Sequence, residues 1–201
     1  MTRRRQADRT AATRGALIAA AREQFAAAGF AGTGLEAVSV AAGVSRGAAY
    51  HQFGSKLELF AAVLVEVEAG IADRIAVAAL AGEDLGFQAV LRRAMTAWLD
   101  ECSAQDVQRI LLVDGPSVLG WSRWRELLQP YALTLVEQLL ATAIENGELP
   151  ALPVRALAHT LVAVADEAAL VVATSEHPEA SREEMLRVLD ALVAGLSRPS
   201  P

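Results

Sequence analysis

The sequence predicts an all-α protein of about nine helices, in which an N-terminal three-helix domain carrying a helix-turn-helix precedes a larger helical body. Three observations carry this. Alanine, the best helix former, makes up about a fifth of the 201 residues, against seven prolines. Strand-like alternation never extends beyond a few residues. Helix-capping signals also recur at short intervals near the N-terminus.

The first helix is expected over residues 11–28, where Leu17, Ala21 and Phe25 recur at i, i+4 and i+8 beside Ile18. Gly29, without a Cβ, suits a left-handed cap after it. Thr33-Gly34-Leu35-Glu36 has capping-box spacing and would start a short helix to about Ala42. Gly43 breaks that helix, and Ser45 can cap a third over residues 46–52. Two short helices joined by a tight glycine turn make a helix-turn-helix, here about residues 34–53. Gly54 closes the third helix, and Ser55-Lys56-Leu57-Glu58 repeats the capping box to launch a fourth toward Ala79.

Helices are then expected over 85–102 and 104–113, with Gly115-Pro116 as a turn. A long helix over 120–146 carries Pro130 as a kink. Pro153 fits the first position of a helix to about Ser175, and Ser181-Arg182-Glu183-Glu184 caps the last, which ends near Leu196. Residues 1–10 read as a basic flexible arm and 198–201 as a tail. The domains expected are therefore 11–56 and 57–197.

The net charge of −6 is unevenly spread. Through Lys56 there are eight basic residues against three acidic, and beyond it ten against 21. A basic head on an acidic body suits local phosphate neutralisation, although a solvated basic tail would look the same. An apolar content of 53% excludes a disordered chain. The apolar stretch 161–173 is split by Asp166 and Glu167, so no membrane partner is expected. Met-Thr-Arg-Arg-Arg without an apolar segment behind it makes the cytoplasm the expected location, and the single Cys102 agrees. Seventeen arginines to one lysine, with so much alanine, hint at a GC-rich bacterial genome.

Val44 to Lys56 reads V-S-R-G-A-A-Y-H-Q-F-G-S-K, preceded from Thr33 by T-G-L-E-A-V-S-V-A-A-G. With Thr13-Arg14 and Gly29-Phe30, these residues strongly resemble the DNA-binding domain of the TetR family of bacterial transcriptional regulators, over residues 11–65. Ala49 departs from the family's larger apolar residue, and Gln52 stands at a variable position. The resemblance implies a homodimer on a double-stranded DNA operator, with a small-molecule effector bound in a C-terminal ligand-binding and dimerisation domain.

A recognition helix needs small residues where it nears the groove and polar ones where it meets phosphate or base edges. Gly47, Ala48 and Ala49 allow the approach, and Tyr50 and His51 can donate to phosphate, as the resemblance also implies. Their plainer alternatives are a half-buried aromatic and a surface histidine. Lys56 lies in the first turn of the fourth helix, beside free N–H groups that attract phosphate. Thr33 and Ser45 can donate to phosphate, though capping alone explains both. Arg46 can read guanine bidentately or touch phosphate. Arg3, Arg4 and Arg5 would be a minor-groove arm or a solvated tail. Phe25, Val38, Ala42, Val44 and Phe53 are the expected small-domain core. Lys56 and two arginines per subunit would give a slope of log K against log salt near −5.

The helix from Pro153 has two apolar stripes, one at Leu157, Leu161, Val164, Ala168 and Val171. The other is at Ala158, Val162, Ala165, Ala169 and Val172. One can face its own subunit and the other a partner. The last helix adds Met185, Leu189, Leu192 and Leu196, so the two would form a four-helix dimer interface, the alternative being a large monomeric core. The effector pocket would draw on Met95, Trp98, Cys102, Arg109, Ile110, Trp121, Trp124, Arg125 and Tyr131, which suit a small apolar or amphipathic molecule. Each of these also fits ordinary helix packing. No metal-ligand spacing, nucleophile–base motif or phosphate loop is present, so no metal, cofactor or enzymatic activity is expected. The leading expectation is a repressor released from a pseudo-palindromic operator by its effector. A regulator without an effector comes next, and a helical enzyme last.

Overall fold

The computed structural model describes residues 2–82 and 86–196, with side chains from Asp8 onward. The regular structure of the described residues is all helical, in the order α1 Thr2–Gly32, α2 Leu35–Ala41, α3 Arg46–Phe53, α4 Lys56–Ala79 and α5 Phe87–Cys102. The short α6 Gln105–Val107 runs on as a π-helix over Gln108–Asp114 and then as α7 Gly115–Leu119. Last come α8 Trp121–Glu145, α9 Val154–Thr174 and α10 Pro178–Leu196. Counting α6 to α7 as one continuous helix gives the nine expected.

The chain forms two compact units, Met1–Val67 with Gln105–Leu127, and Glu68–Ala104 with Leu128–Pro201. The expected division at residue 56 is thus replaced by an interleaved one, in which α4 and α8 each contribute to both units. The first unit is built on Leu17, Phe25, Val38, Leu59, Phe60, Ile110 and Leu111, all fully buried. The rings of Phe25 and Phe60 meet edge-to-face at 5.1 Å, with Phe30 against both, the geometry the ring quadrupole favours. Val38, Phe25 and Phe53 join this core as expected, whereas Ala42 and Val44 are only half-buried. Ala49 is wholly buried, so it faces the core and not the groove.

In the second unit α5, α9 and α10 pack on one another. The Trp98 indole donates to Ala165 O at 3.0 Å, Arg182 pairs with Asp100, and Arg92 with Asp190. Gly86 has no side chain to cap α5, and the Glu148 carboxylate does so instead, accepting from Phe87 N–H at 2.6 Å. Asn146-Gly147, with φ 74° at Gly147, turns the chain out of α8 and brings that glutamate round.

Several expected boundaries move. Residues 2–10, read as an arm, continue α1, as runs of Arg, Gln and Ala allow; the side chains of Arg3, Arg4 and Arg5, Leu85 and the 198–201 tail lie outside what is described. Gly115-Pro116 is not a turn, because proline is tolerated in a helix's first turn, where no N–H is needed. The break falls instead at Gly120, φ 75°. The last helix starts at Pro178, not after Ser181, whose hydroxyl hydrogen-bonds with that of Ser175. α8 and α9 are each long and apolar enough, by length and composition, to cross a membrane, which the sequence reading excluded. Buried core helices pass the same test, and α9 buries Ala158, Ala168, Ala169 and Val172 in its own unit.

The expected interface stripes divide. Leu157, Leu161, Val164 and Val171 on α9, and Met185 and Leu196 on α10, are half-buried, and Leu192 is 53% exposed. Ala168 and Leu189 belong to the unit's own core, joined by Leu186 and Val193, while Val188 is exposed beside Leu192. The outward α10 face is thus Met185, Val188 and Leu192, turned from the expected stripe because Leu186, Leu189 and Val193 share the inner face.

Gly115 offers a direct test of packing, since a Cβ there would stand 2.7 Å from Trp124 Cδ1 and 3.0 Å from Leu64 Cδ1. The Trp124 indole donates to Leu111 O at 3.0 Å in a buried site. Gly115→Ala is expected to destabilise the protein by about 1–3 kcal/mol, read as a lower urea midpoint followed by tryptophan fluorescence. An unchanged midpoint would contradict this packing.

Candidate nucleic-acid interface

The helix-turn-helix rests on local chemistry. Gly34, with no capping side chain, precedes α2. Gly43 takes φ 67° in the turn, and Ser45 Oγ accepts from Ala48 N–H at 3.2 Å to cap α3. With Ala49 and Phe53 anchoring one side of α3, Arg46, Gly47, Tyr50 and His51 emerge together on its exposed side. The spacing i, i+1, i+4, i+5 makes them one face. Ala48, also expected there, is half-buried. The Arg46 guanidinium lies 5.6 Å from the Tyr50 ring and 3.7 Å from Glu36, both in solvent. Such an exposed pair is worth under about 1 kcal/mol, so phosphate or guanine can displace it. Arg14 of α1 stacks over Phe53 at 4.6 Å, which brings a second cation to the end of α3.

Two expected phosphate donors are turned inward. Thr33 is 4% exposed, and its hydroxyl donates to Gly29 O at 2.9 Å and Gln24 O at 3.1 Å. It satisfies carbonyls at the end of α1, and the capping box at α2 is not made. Lys56 Nζ donates to Phe30 O at 2.8 Å and Thr33 O at 3.0 Å and stands 4.2 Å from the Phe30 ring centre. Two of its three donors are therefore spent on backbone exposed by the break in α1.

That break is at Gly29, whose φ 69° and ψ 175° are non-helical, so the expected positive φ is present while the αL cap is not. Phe30 N–H, lost to the helix, is taken by Asp114 Oδ2 at 2.7 Å. Asp114 also pairs with Arg109 at 3.5 Å, whose guanidinium covers Gly29. Two helical turns earlier on α1, Arg22 binds Asp106 at 2.6 Å. Burial alone would raise the Asp106 carboxyl, but the Arg22 hydrogen bond and charge outweigh it and hold it below its usual range. Asp106 and Asp114 escaped the sequence reading because their partners lie 84 residues away.

The nine residues expected to line an effector pocket divide between the units. Arg109, Ile110, Trp121, Trp124 and Arg125 lie in the first, and Met95, Trp98, Cys102 and Tyr131 in the second. Arg109 is committed to the α1 break, Ile110 and Trp124 are core, and Trp121 is 58% exposed with Arg125 over its ring. In the second unit a cavity of about 410 Å³ is lined by Leu91, Met95, Leu161 and Leu189 among others, Met95 alone coming from the nine.

Glu68 was missed altogether. It is 5% exposed, and Leu64, Val67 and Ile71 around it at helical spacing were the available signal that its face of α4 is buried.

Comparison with known proteins agrees with this geometry. Residues 17–63 match the family of bacterial regulatory proteins called tetR, and 88–196 match the tetracyclin repressor-like C-terminal domain. The chain is 39% identical over 114 residues to the HTH-type transcriptional regulator CymR of Pseudomonas putida, an alignment covering 56% of each protein. A crystal structure of a TetR-family transcriptional regulator from Pectobacterium atrosepticum superposes with a TM-score of 0.81 at 28% identity, covering 96% of this chain and 98% of that one. FadR of Bacillus subtilis, solved in complex with stearoyl-CoA, shares the fold at a TM-score of 0.71 and 19% identity, over 90% of this chain and 97% of that one. With both its helix-turn-helix segment and its C-terminal half matched, this chain belongs to the TetR family of bacterial regulatory proteins.

Proposed function

We propose that the protein is a homodimeric, sequence-specific DNA-binding transcriptional regulator in the cytoplasm, a repressor released from a pseudo-palindromic operator by a small-molecule effector. The observation that carries the reading is the exposed α3 face of Arg46, Gly47, Tyr50 and His51, standing on a capped helix anchored by Ala49 and Phe53. Small residues let that face enter a major groove, and Arg46 supplies a bidentate donor for guanine or phosphate. The half-buried α9 stripe and the outward α10 residues Met185, Val188 and Leu192 support pairing with a second copy, which would set two α3 helices on half-sites about a helical turn or more apart. An effector bound in the second unit would act by favouring one of two DNA-affinity states, so that DNA and effector weaken one another reciprocally.

Selection of genomic fragments with the purified protein, followed by footprinting, tests the DNA-binding reading. The expected result is a protected pseudo-palindrome that the double variant Tyr50→Ala/His51→Ala no longer protects, while Arg46→Ala loses discrimination worth about 1–3 kcal/mol at one base pair of each half-site. Failure to enrich any sequence, with and without metabolite extract, would overturn it.

Salt dependence separates the two kinds of cation. With Lys56 engaged internally, Arg14 and Arg46 of two subunits give four phosphate contacts and a slope near −3.5, in place of the −5 that Lys56 would add to. Lys56→Met is expected to lower stability by about 1–3 kcal/mol, since two carbonyls lose a charged donor, yet leave the slope within about 0.5 of wild type. A slope shallower than about −2, or one that Lys56→Met flattens by about 2, would contradict this division of roles.

A further inference from the structure

In the second unit, Glu68 of α4 is 5% exposed, and its Oε2 lacks a hydrogen-bond partner. Among the described residues the other buried polar side chains, Thr33 and Ser39, both donate to helix carbonyls. A buried carboxyl with an unmatched oxygen is costly to keep in a core, so its presence calls for an explanation. Asp166 of α9 acts on it by charge, and the charges of Glu68, Asp166 and Glu101 act in turn on Cys102 of α5. Glu101 is held by both nitrogens of the Arg74 fork at 2.6 and 2.7 Å. Trp98 of α5 bonds the carbonyl of Ala165, the residue before Asp166, so an indole stands at the same α5–α9 junction.

Burial, and then the charge of Asp166, push the Glu68 carboxyl up to about 8, and burial followed by the surrounding carboxylates pushes the Cys102 thiol up as well. At neutral pH Glu68 is therefore mostly protonated, and a cation placed against it would drive the proton off. The cavity of about 410 Å³ has Leu91 and Met95 of α5 in its wall, with Leu161 and Leu189 opposite. Cys102 lies seven residues beyond Met95, on the same face and about 10 Å along the helix. A mainly apolar cavity with the Arg92–Asp190 pair in its wall thus lies toward one end of the α5 face from Met95 to Cys102, and the unmatched acid toward the other.

We infer that the effector of this protein is an organic cation, an amine or amidine on an apolar body, whose charged end is held by Glu68 and Asp166 and whose body lies along α5 toward the cavity at Met95. The inference rests on the effector reading above and narrows it to one charge class. Binding exchanges one positive charge for another: the ammonium arrives, the Glu68 carboxyl loses its proton to solvent, and an ion pair replaces a neutral acid.

The test is calorimetry on the full-length protein with 4-phenylbutylamine, using 4-phenylbutan-1-ol and 4-phenylbutanoate as neutral and anionic controls, in buffers of different ionisation enthalpy. The amine is expected to bind at least about tenfold more tightly than either control and to release close to one proton at pH 7 and almost none at pH 9.5. Its affinity should rise between pH 6 and 8, up to about tenfold per pH unit, and level off above. Glu68→Gln should abolish the proton release and the tenfold preference for the amine over the alcohol. Equal or tighter binding of the alcohol or the carboxylate, amine binding without proton release in the wild-type protein, or no binding of the amine would each overturn the inference. Release of operator DNA by metabolite extract decides the underlying reading separately. Release by a neutral or anionic component alone would keep the effector reading and discard the cation, whereas no release by any extract would discard both.

Discussion

The structure depends on a single interruption of a helix. At Gly29 α1 takes a backbone conformation that no helix continues through, which strips hydrogen bonds from the carbonyls before it and the amide after it. Three side chains meet polar backbone groups on either side of the break. Thr33 reaches Gln24 O and Gly29 O, Lys56 reaches Phe30 O and Thr33 O, and Asp114 takes Phe30 N–H. Left unsatisfied, a fully buried group of this kind costs about 1–3 kcal/mol, and the part-buried ones here less. Satisfied, they join α1, the first turn of α4 and the end of the π-helix at one point, with Phe25, Phe30 and Phe60 packed beneath.

The functional surface follows from that point. On this base α2 packs against α1 and α3 against α2, and the buried residues of α3 are Ala49 and Phe53. Its other side is left to Arg46, Gly47, Tyr50 and His51. The π-helix supplies Asp114 and Arg109 to the same join. π-helical turns are rare and tend to occur at functional sites, and a change of register here would move both side chains off the Gly29–Phe30 backbone. Because α4 contributes residues to both units, the acid at Glu68 sits on the very helix whose first turn carries Lys56.

Much of this was legible in the sequence, for identifiable reasons. Helix positions followed from 3.6-residue periodicity, and Ser45 capped as its spacing predicted, because both are local effects. The exposed face of α3 was legible for the same reason. Thr33 and Lys56 were misread because their chemistry suits phosphate and backbone carbonyls equally, and only the three-dimensional position of the Gly29 break decides between them. Gly115-Pro116 misled because proline ends one helix and begins another with the same residue. The α10 stripe was turned by about one position, since Leu186, Leu189 and Val193 compete with Met185, Leu192 and Leu196 for the same periodicity. Glu68 was invisible because an acid in an apolar helix is ordinarily assigned to the solvent side, and its burial is a tertiary effect.

The backbone amide of Phe30 reports the central interaction alone, and native-state hydrogen exchange on the full-length protein measures it. If Asp114 holds that amide, Phe30 exchanges at least about a hundredfold more slowly than an unstructured amide, and Asp114→Ala accelerates it by about tenfold or more while core amides of α5 and α9 keep their rates. A Phe30 amide that exchanges like an exposed loop in the wild type, or that ignores Asp114→Ala, would contradict the account.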